Sequence, residues 1–220
     1  TISGELDAAT GDFSGDVDID GTLETDAITL GGTSFIKLEG TDFPDGLLVG
    51  HSTTGTLSTA TANTGVGIDA MDGITSGDAN TGVGFQALGD LTSGTSNTGI
   101  GRYAVADVST TSYNTGVGDN ALRVVTGSGN IALGYKSGNN ITSGSGNVVI
   151  GYADVSSATG SDQLSISTGD DGSVVWMTGD SSGNVTFPAE IDGATLDISG
   201  NADIDGTTNL DAVDIDGAVQ

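Results

Sequence analysis

From Asn63 onward the sequence restates one phrase. Asn recurs at 63, 80, 97, 114, 130 and 147, with successive spacings of 17, 17, 17, 16 and 17 residues. Six copies at a near-constant period predict a solenoid, in which no single copy can bury its own apolar face and each must stack on the next. After each Asn the residues alternate. Thr64, Thr81, Thr98, Thr115, Ile131 and Val148 share a face with Val66, Val83, Ile100, Val117, Leu133 and Ile150, the period of two that marks a strand. On the opposite face Gly65, Gly82, Gly99 and Gly116 carry no side chain, and Ala132 and Val149 carry small or medium ones, so another backbone can approach closely there. A lone chain is expected to leave this glycine face open to water, and oligomerisation about it is the expected remedy. A second apolar point follows at Ala70-Met71, Ala87-Leu88, Ala104-Val105 and Ala121-Leu122, then a Thr/Ser/Gly turn such as "TSGDAN" or "TSGTSN". Each copy is thus predicted to run strand, bend, short strand, turn. A helix is the poorer reading, because each Gly of "NTGVG" would cost about 1 kcal/mol relative to Ala and no i, i+3, i+4 stripe is present.

Composition agrees with a thin, repetitive molecule. Hydrophobic residues make up only 35% of the 220, and 38 are Gly, so a large three-dimensional core is not expected. Thirty Asp and Glu against four Lys and Arg give a formal charge of -26, which repels nucleic acid phosphates and anionic membranes. Nucleic acid partners are therefore excluded; the acidity is read as a solubility device, with cation binding as the alternative. No cysteine is present, so neither disulfides nor thiolate metal sites hold the fold. No apolar run approaches the roughly 18 residues of a membrane span, and membrane insertion is not expected. The opening "TISGELDAAT" has neither an initiator Met nor a basic leader, which suggests a piece of a longer chain.

The phrases "NTGVGFQAL", "NTGIGRYAV", "GNIALGYKSG" and "GNVVIGYADV" resemble the head repeats of trimeric autotransporter adhesins, and more closely the related repeats of bacteriophage tail fibres, over about Ala62 to Tyr152. That resemblance implies an all-β homotrimer in which three parallel left-handed β-rolls, each of about six 17-residue coils, lie side by side about a three-fold axis. The chain departs from the commonest adhesin form by its longer coils and by Gly or Ala where the adhesins carry a signature alanine. The left-handed helix of hexapeptide acyltransferases fits worse: it needs an aliphatic residue every six, and counting from Val83 reaches Gly89 and Thr95.

The flanks carry a second repeat. "SGDVDIDGTLETDAI" from Ser14 and "SGNADIDGTTNLDAV" from Ser199 both alternate apolar and acidic residues, as a solvated strand face does, and resemble phage fibre shafts. The expected order is an N-terminal β shaft (1–31), a connector (32–61), the β-roll (62–155), a small β-hairpin module (156–193) and a C-terminal β shaft (194–220). Asp16, Asp18, Asp20 and Gly21 half-match a calcium loop, as do Asn201, Asp203, Asp205 and Gly206. The twelfth position, where a bidentate Glu belongs, is Ala27 in one and Ala212 in the other, so no metal site is assigned. Trp176, between Val175 and Met177, is read as core packing, with a sugar-stacking platform as the alternative. The only two prolines, Pro44 and Pro188, fall in the segments flanking the roll.

Nothing in the spacing selects a catalytic group. His51 is the single histidine, and among the carboxylates considered for pairing across chains, Glu24, Glu39, Asp42, Asp45 and Glu190, no two are singled out. The expectation is a protein that is not an enzyme and takes no cofactor: a structural and adhesive segment of a viral tail fibre, outside the cell on the virion, that positions contact with a host-surface receptor and joins other tail proteins. The alternatives are a bacterial adhesin head that binds host matrix and a glycan-depolymerising tailspike.

Overall fold

The computed structural model describes residues 59–169 and 171–188; for 28–30, 33–40 and 43–49 it gives strand pairing, with side-chain surroundings only at Val49. The described residues are all-β and form one sheet of twelve strands in sequence order. The middle of that sheet is a solenoid. Six three-residue strands, β4 (Thr64–Val66), β5 (Thr81–Val83), β6 (Thr98–Ile100), β7 (Thr115–Val117), β8 (Ile131–Leu133) and β9 (Val148–Ile150), pair in parallel, in register, one per coil.

Both ends of this ladder are continued by antiparallel strands. Ahead of it, β1 (Ile28–Leu30), β2 (Thr33–Gly40) and β3 (Phe43–Val49) form a meander whose last strand pairs in parallel with β4. Beyond it, β10 (Leu164–Thr168) pairs in parallel with β9 and antiparallel with β11 (Val174–Gly179), which pairs with β12 (Val185–Thr186). A solenoid's terminal coils need such covers, because an open strand edge is a template for unwanted pairing.

The asparagines hold the coils in step. Asn80 donates from its backbone N–H and from Nδ2 to Oδ1 of Asn63, at 2.9 and 3.0 Å, and Nδ2 also reaches the Gly94 carbonyl across its own coil at 2.9 Å. The same arrangement recurs at Asn97, Asn114, Asn130 and Asn147, all fully buried, and ends on Gln163, which donates to Asn147 Oδ1 at 2.9 and 3.2 Å. One amide per coil thus satisfies groups in two coils, as a thin interior without water requires.

Two expectations are corrected. The glycine face points inward: Gly65, Gly82, Gly99 and Gly116 are buried within their own chain. A Cβ at Gly99 would stand 2.7 Å from the Ala104 carbonyl oxygen and 3.2 Å from Cγ of Leu88, so the neighbour that approaches closely is the far wall of the same coil stack. The core is filled from that far wall by Met71, Leu88, Val105 and Leu122, with Ile74, Leu91, Val108, Val125 and Ile141 beside them. Where the inward strand residue grows to Val149, the far wall shrinks to Gly138, whose missing Cβ would lie 3.5 Å from Val149 Cγ2. Core volume is conserved by exchange between the two walls.

The second apolar point is also not a strand. Each coil has one strand only, and Met71, Leu88, Val105 and Leu122 sit on turns with φ of 59, 55, 51 and 50°. Left-handed backbone is uncommon for such residues. It is held here by stacking, since the N–H of Leu88 donates to the Ala104 carbonyl at 3.1 Å and that of Val105 to the Ala121 carbonyl at 2.9 Å. The bend after each strand does require glycine: Gly84 has φ of 133° and a Cβ there would lie 2.6 Å from the Gly101 oxygen.

Candidate functional site

With glycine inside, the Thr and Val rows face out. Strand register aligns Val49, Val66, Val83, Ile100, Val117, Leu133, Ile150, Ile166 and Met177 as one continuous row of nine aliphatic side chains. At the usual strand spacing that row is roughly 40 Å long. Its members are half-buried or exposed, Ile100 and Leu133 each at 40%. Beside it runs Thr64, Thr81, Thr98, Thr115, Ile131, Val148 and Leu164. Parallel sheets are ordinarily covered on both faces. Among the described residues this one is covered on the inner face alone.

A second surface occupies the corner just past each strand, at the fifth and sixth residues after the coil's Asn. There stand Phe85 and Gln86, Arg102 and Tyr103, Asp119 and Asn120, Tyr135 and Lys136, and Tyr152. Phe85 and Tyr103 meet edge to face with centroids 5.3 Å apart, and Tyr135 and Tyr152 do so at 5.2 Å. The guanidinium carbons of Arg102 and Arg123 lie 5.1 and 4.7 Å from the Tyr103 centroid, and Lys136 Nζ lies 5.2 Å from that of Tyr135. Three of the chain's four basic residues are therefore gathered on this corner. Arg102 Nε donates to Asp119 Oδ2 at 2.8 Å and Arg123 Nε to Asp107 Oδ2 at 2.9 Å. Hydrogen bonding to Tyr135, and then charge interaction with Tyr135 and Tyr152, raises the Lys136 ammonium above its ordinary pKa.

Of the sequence-derived candidates, Trp176 alone is described together with its side chain. Trp176 is corrected: it is 59% exposed and donates from Nε1 to Thr168 Oγ1 at 2.8 Å, opposite a register shift between Ile166 and Ser167. Glu39 and Asp45 lie on β2 and β3 with undescribed side chains. His51, Glu24, Asp42 and Glu190 lie outside the described residues, as do the two acidic motifs at Asp16, Asp18 and Asp20 and at Asn201, Asp203 and Asp205. Among the described residues no group of three or more His, Cys, Asp or Glu is placed to hold a metal, and no helix is long and apolar enough to cross a membrane.

Sequence reading missed the aromatic corner. Its signal was there, since Phe85, Arg102, Tyr135 and Tyr152 fall at the same distance after Asn80, Asn97, Asn130 and Asn147. No family model matches the chain, and no curated protein or solved structure is significantly similar to it.

Proposed function

We propose that the chain is a rod-like segment of a homotrimeric extracellular fibre, most similar to a bacteriophage tail fibre, that extends and positions contact with a host-surface receptor. The observation that carries the reading is the nine-rung aliphatic row on the open face of a parallel sheet. A strip that long and narrow suits an axis better than a globular partner: copies of the same chain present the same row at the same period, and three such rows close a dry seam. The repeats' resemblance to fibre and adhesin heads favours three copies, left-handed coils, and flanking 1–31 and 194–220 as shafts. The contact face is the Thr/Val face, not the glycine face.

A stacked ladder resists bending and proteolysis, which is what a spacer between a particle and its receptor needs. Light scattering tests the reading: a mass three times the 21.5 kDa chain is expected, and a monodisperse monomer overturns it. Ile100→Asp with Leu133→Asp, which places charges in the seam, is expected to yield folded monomer.

A further inference from the structure

We infer that the aromatic corner of the solenoid is a binding strip for an uncharged linear polysaccharide lying along the solenoid axis. This rests on the adhesive reading for its biological sense, but not on the trimer for its chemistry. The rings of Phe85, Tyr103, Tyr135 and Tyr152 form two pairs, with Phe85 and Tyr135 exposed and Tyr103 and Tyr152 half-buried. Exposed aromatic rings of this kind match the apolar C–H faces of pyranose sugars, while the phenol hydroxyls stay wet. Tyr103 and Tyr135 stand on coils two steps apart, about 10 Å at strand spacing, which is the length scale of a disaccharide. The coil between them puts Asp119 and Asn120 in the gap, bonded to each other through Asn120 Nδ2 and Asp119 Oδ1.

The polar groups indicate hydroxyls as the ligand's chemistry. Arg102, Arg123, Asp119 and Asn120 supply donors and acceptors held by hydrogen bonds to one another, and a sugar hydroxyl uses both. Two of the three cations are already paired, to Asp119 and Asp107, so little free positive charge remains to attract an acidic polymer. The charge of -26 on the chain repels such a polymer further. The strip is also preorganised. Gln86, Tyr103, Asn120 and Lys136 hold left-handed φ of 52, 56, 58 and 53°, and their N–H groups donate to the preceding coil at 2.9, 2.9, 2.8 and 2.8 Å. A ligand therefore pays little to order its site.

Affinity electrophoresis of the whole chain through gels containing amylose, glucomannan, galactomannan, xylan, polygalacturonate or hyaluronan tests this. At least one neutral polymer is expected to retard the protein and the two acidic ones are not. Tyr103→Ala with Tyr135→Ala should weaken retardation about tenfold, while Tyr103→Phe with Tyr135→Phe, which keeps the rings, and Tyr113→Ala, on another corner, should preserve most of it. Circular dichroism of each variant separates lost binding from lost fold; if the double Ala variant unfolds, Tyr135→Ala alone carries the test. Retardation by the acidic polymers only, by none of the six, or equally for the ring-deleted and wild-type chains overturns the inference. A trimer that no neutral polymer retards defeats the strip and leaves the fibre reading standing, whereas a retarded monomer does the reverse.

Discussion

The coils and the C-terminal hairpin solve the same problem with different chemistry. In the coils the polar groups that close the structure are buried amides, each bonded to its counterpart one coil away: Asn97 Oδ1 accepts the Asn114 N–H at 3.0 Å, and Asn97 Nδ2 reaches the Thr111 carbonyl at 2.8 Å. In the hairpin they are exposed carboxylates that bond only locally. Asp180 Oδ1 accepts from the N–H groups of Ser182 and Asn184 at 2.9 and 3.0 Å, its Oδ2 accepts from Asn184 Nδ2 at 2.8 Å, and Asp171 Oδ1 accepts the Ser173 N–H at 3.0 Å. An interior that repeats must use a neutral side chain offering donor and acceptor at once, because a column of like charges in a dry core would repel itself. A terminal cap meets water and can use the stronger acceptor. Damage should therefore spread along the coils but stay local in the hairpin.

The largest effect is expected at the ladder. Asn97→Ala leaves the Thr111 carbonyl and the Asn114 N–H buried without their partner, at about 1–3 kcal/mol each, so roughly 2–6 kcal/mol in all. Asn184→Ala in the hairpin removes an exposed bond and should shift stability far less. Chemical denaturation of the two variants checks this, and equal losses would mean that the ladder is no more than local trimming.

Next comes the core wall. Gly99→Val drives its side chain into the Ala104 carbonyl and Leu88, an overpacking cost of about 1–3 kcal/mol, whereas Thr98→Val on the outer face should stay within about 0.5 kcal/mol. Equal thermal midpoints for the two would mean that the inside and outside of the strand have been exchanged.

That exchange is also where sequence reading and structure part. The period and the strand after each Asn were legible, because the copies recur at near-constant spacing and alternate with a period of two. Alternation after Asn97 correctly set Thr98 and Ile100 on one face and Gly99 on the other. It could not say which face is inside. The usual rule puts bulk inward, but this coil is so thin that Leu88 crosses from the far wall and leaves room only for glycine. The turn at Val105 was not legible either, because a β-branched residue at φ of 51° contradicts its intrinsic preference and is held only by the coil stacked on it. Trp176 misled for a third reason, since its core reading rested on its apolar neighbours Val175 and Met177, whereas the side chain stands on the exposed side of β11.

A smaller and opposite effect sharpens the comparison. Thr111 is the one buried side chain among the described residues whose polar atom, Oγ1, has no partner. It stands where neighbouring coils place Gly94 and Gly127, each of whose carbonyls takes an asparagine amide. Its own carbonyl does the same for Asn97, so the substitution costs the ladder nothing and the hydroxyl alone is stranded. Thr111→Val keeps the shape and removes the unmet group, and is expected to stabilise the chain by about 1 kcal/mol in denaturant titration. A loss of stability instead would mean that the hydroxyl has a bound partner in solution.

The smallest effect is a pH dependence carried by the carboxylate turns of the hairpin. Hydrogen bonding from Asn184 and then its backbone N–H lowers the Asp180 pKa below the ordinary carboxylate value, and bonding from Ser173 does the same for Asp171. A depressed folded-state pKa contributes stability that is fully present above the unfolded-state value and is lost as pH falls through the folded-state one. The turns of the hairpin should therefore begin to loosen as pH falls through the usual carboxylate range, with the loss completed at lower pH. The asparagine ladder has nothing to titrate in that window. Trp176 is the only tryptophan and sits on β11, so its fluorescence reports the hairpin, while far-ultraviolet circular dichroism reports mainly the coils. At constant protein concentration and constant scattering mass, the fluorescence change should precede the dichroism change as pH is lowered. Asp180→Asn should abolish most of the difference by weakening the turn at neutral pH. Coincident transitions in the wild-type chain would show the hairpin and the coils to be one cooperative unit, with the carboxylate turns tied as tightly into the stack as the amides.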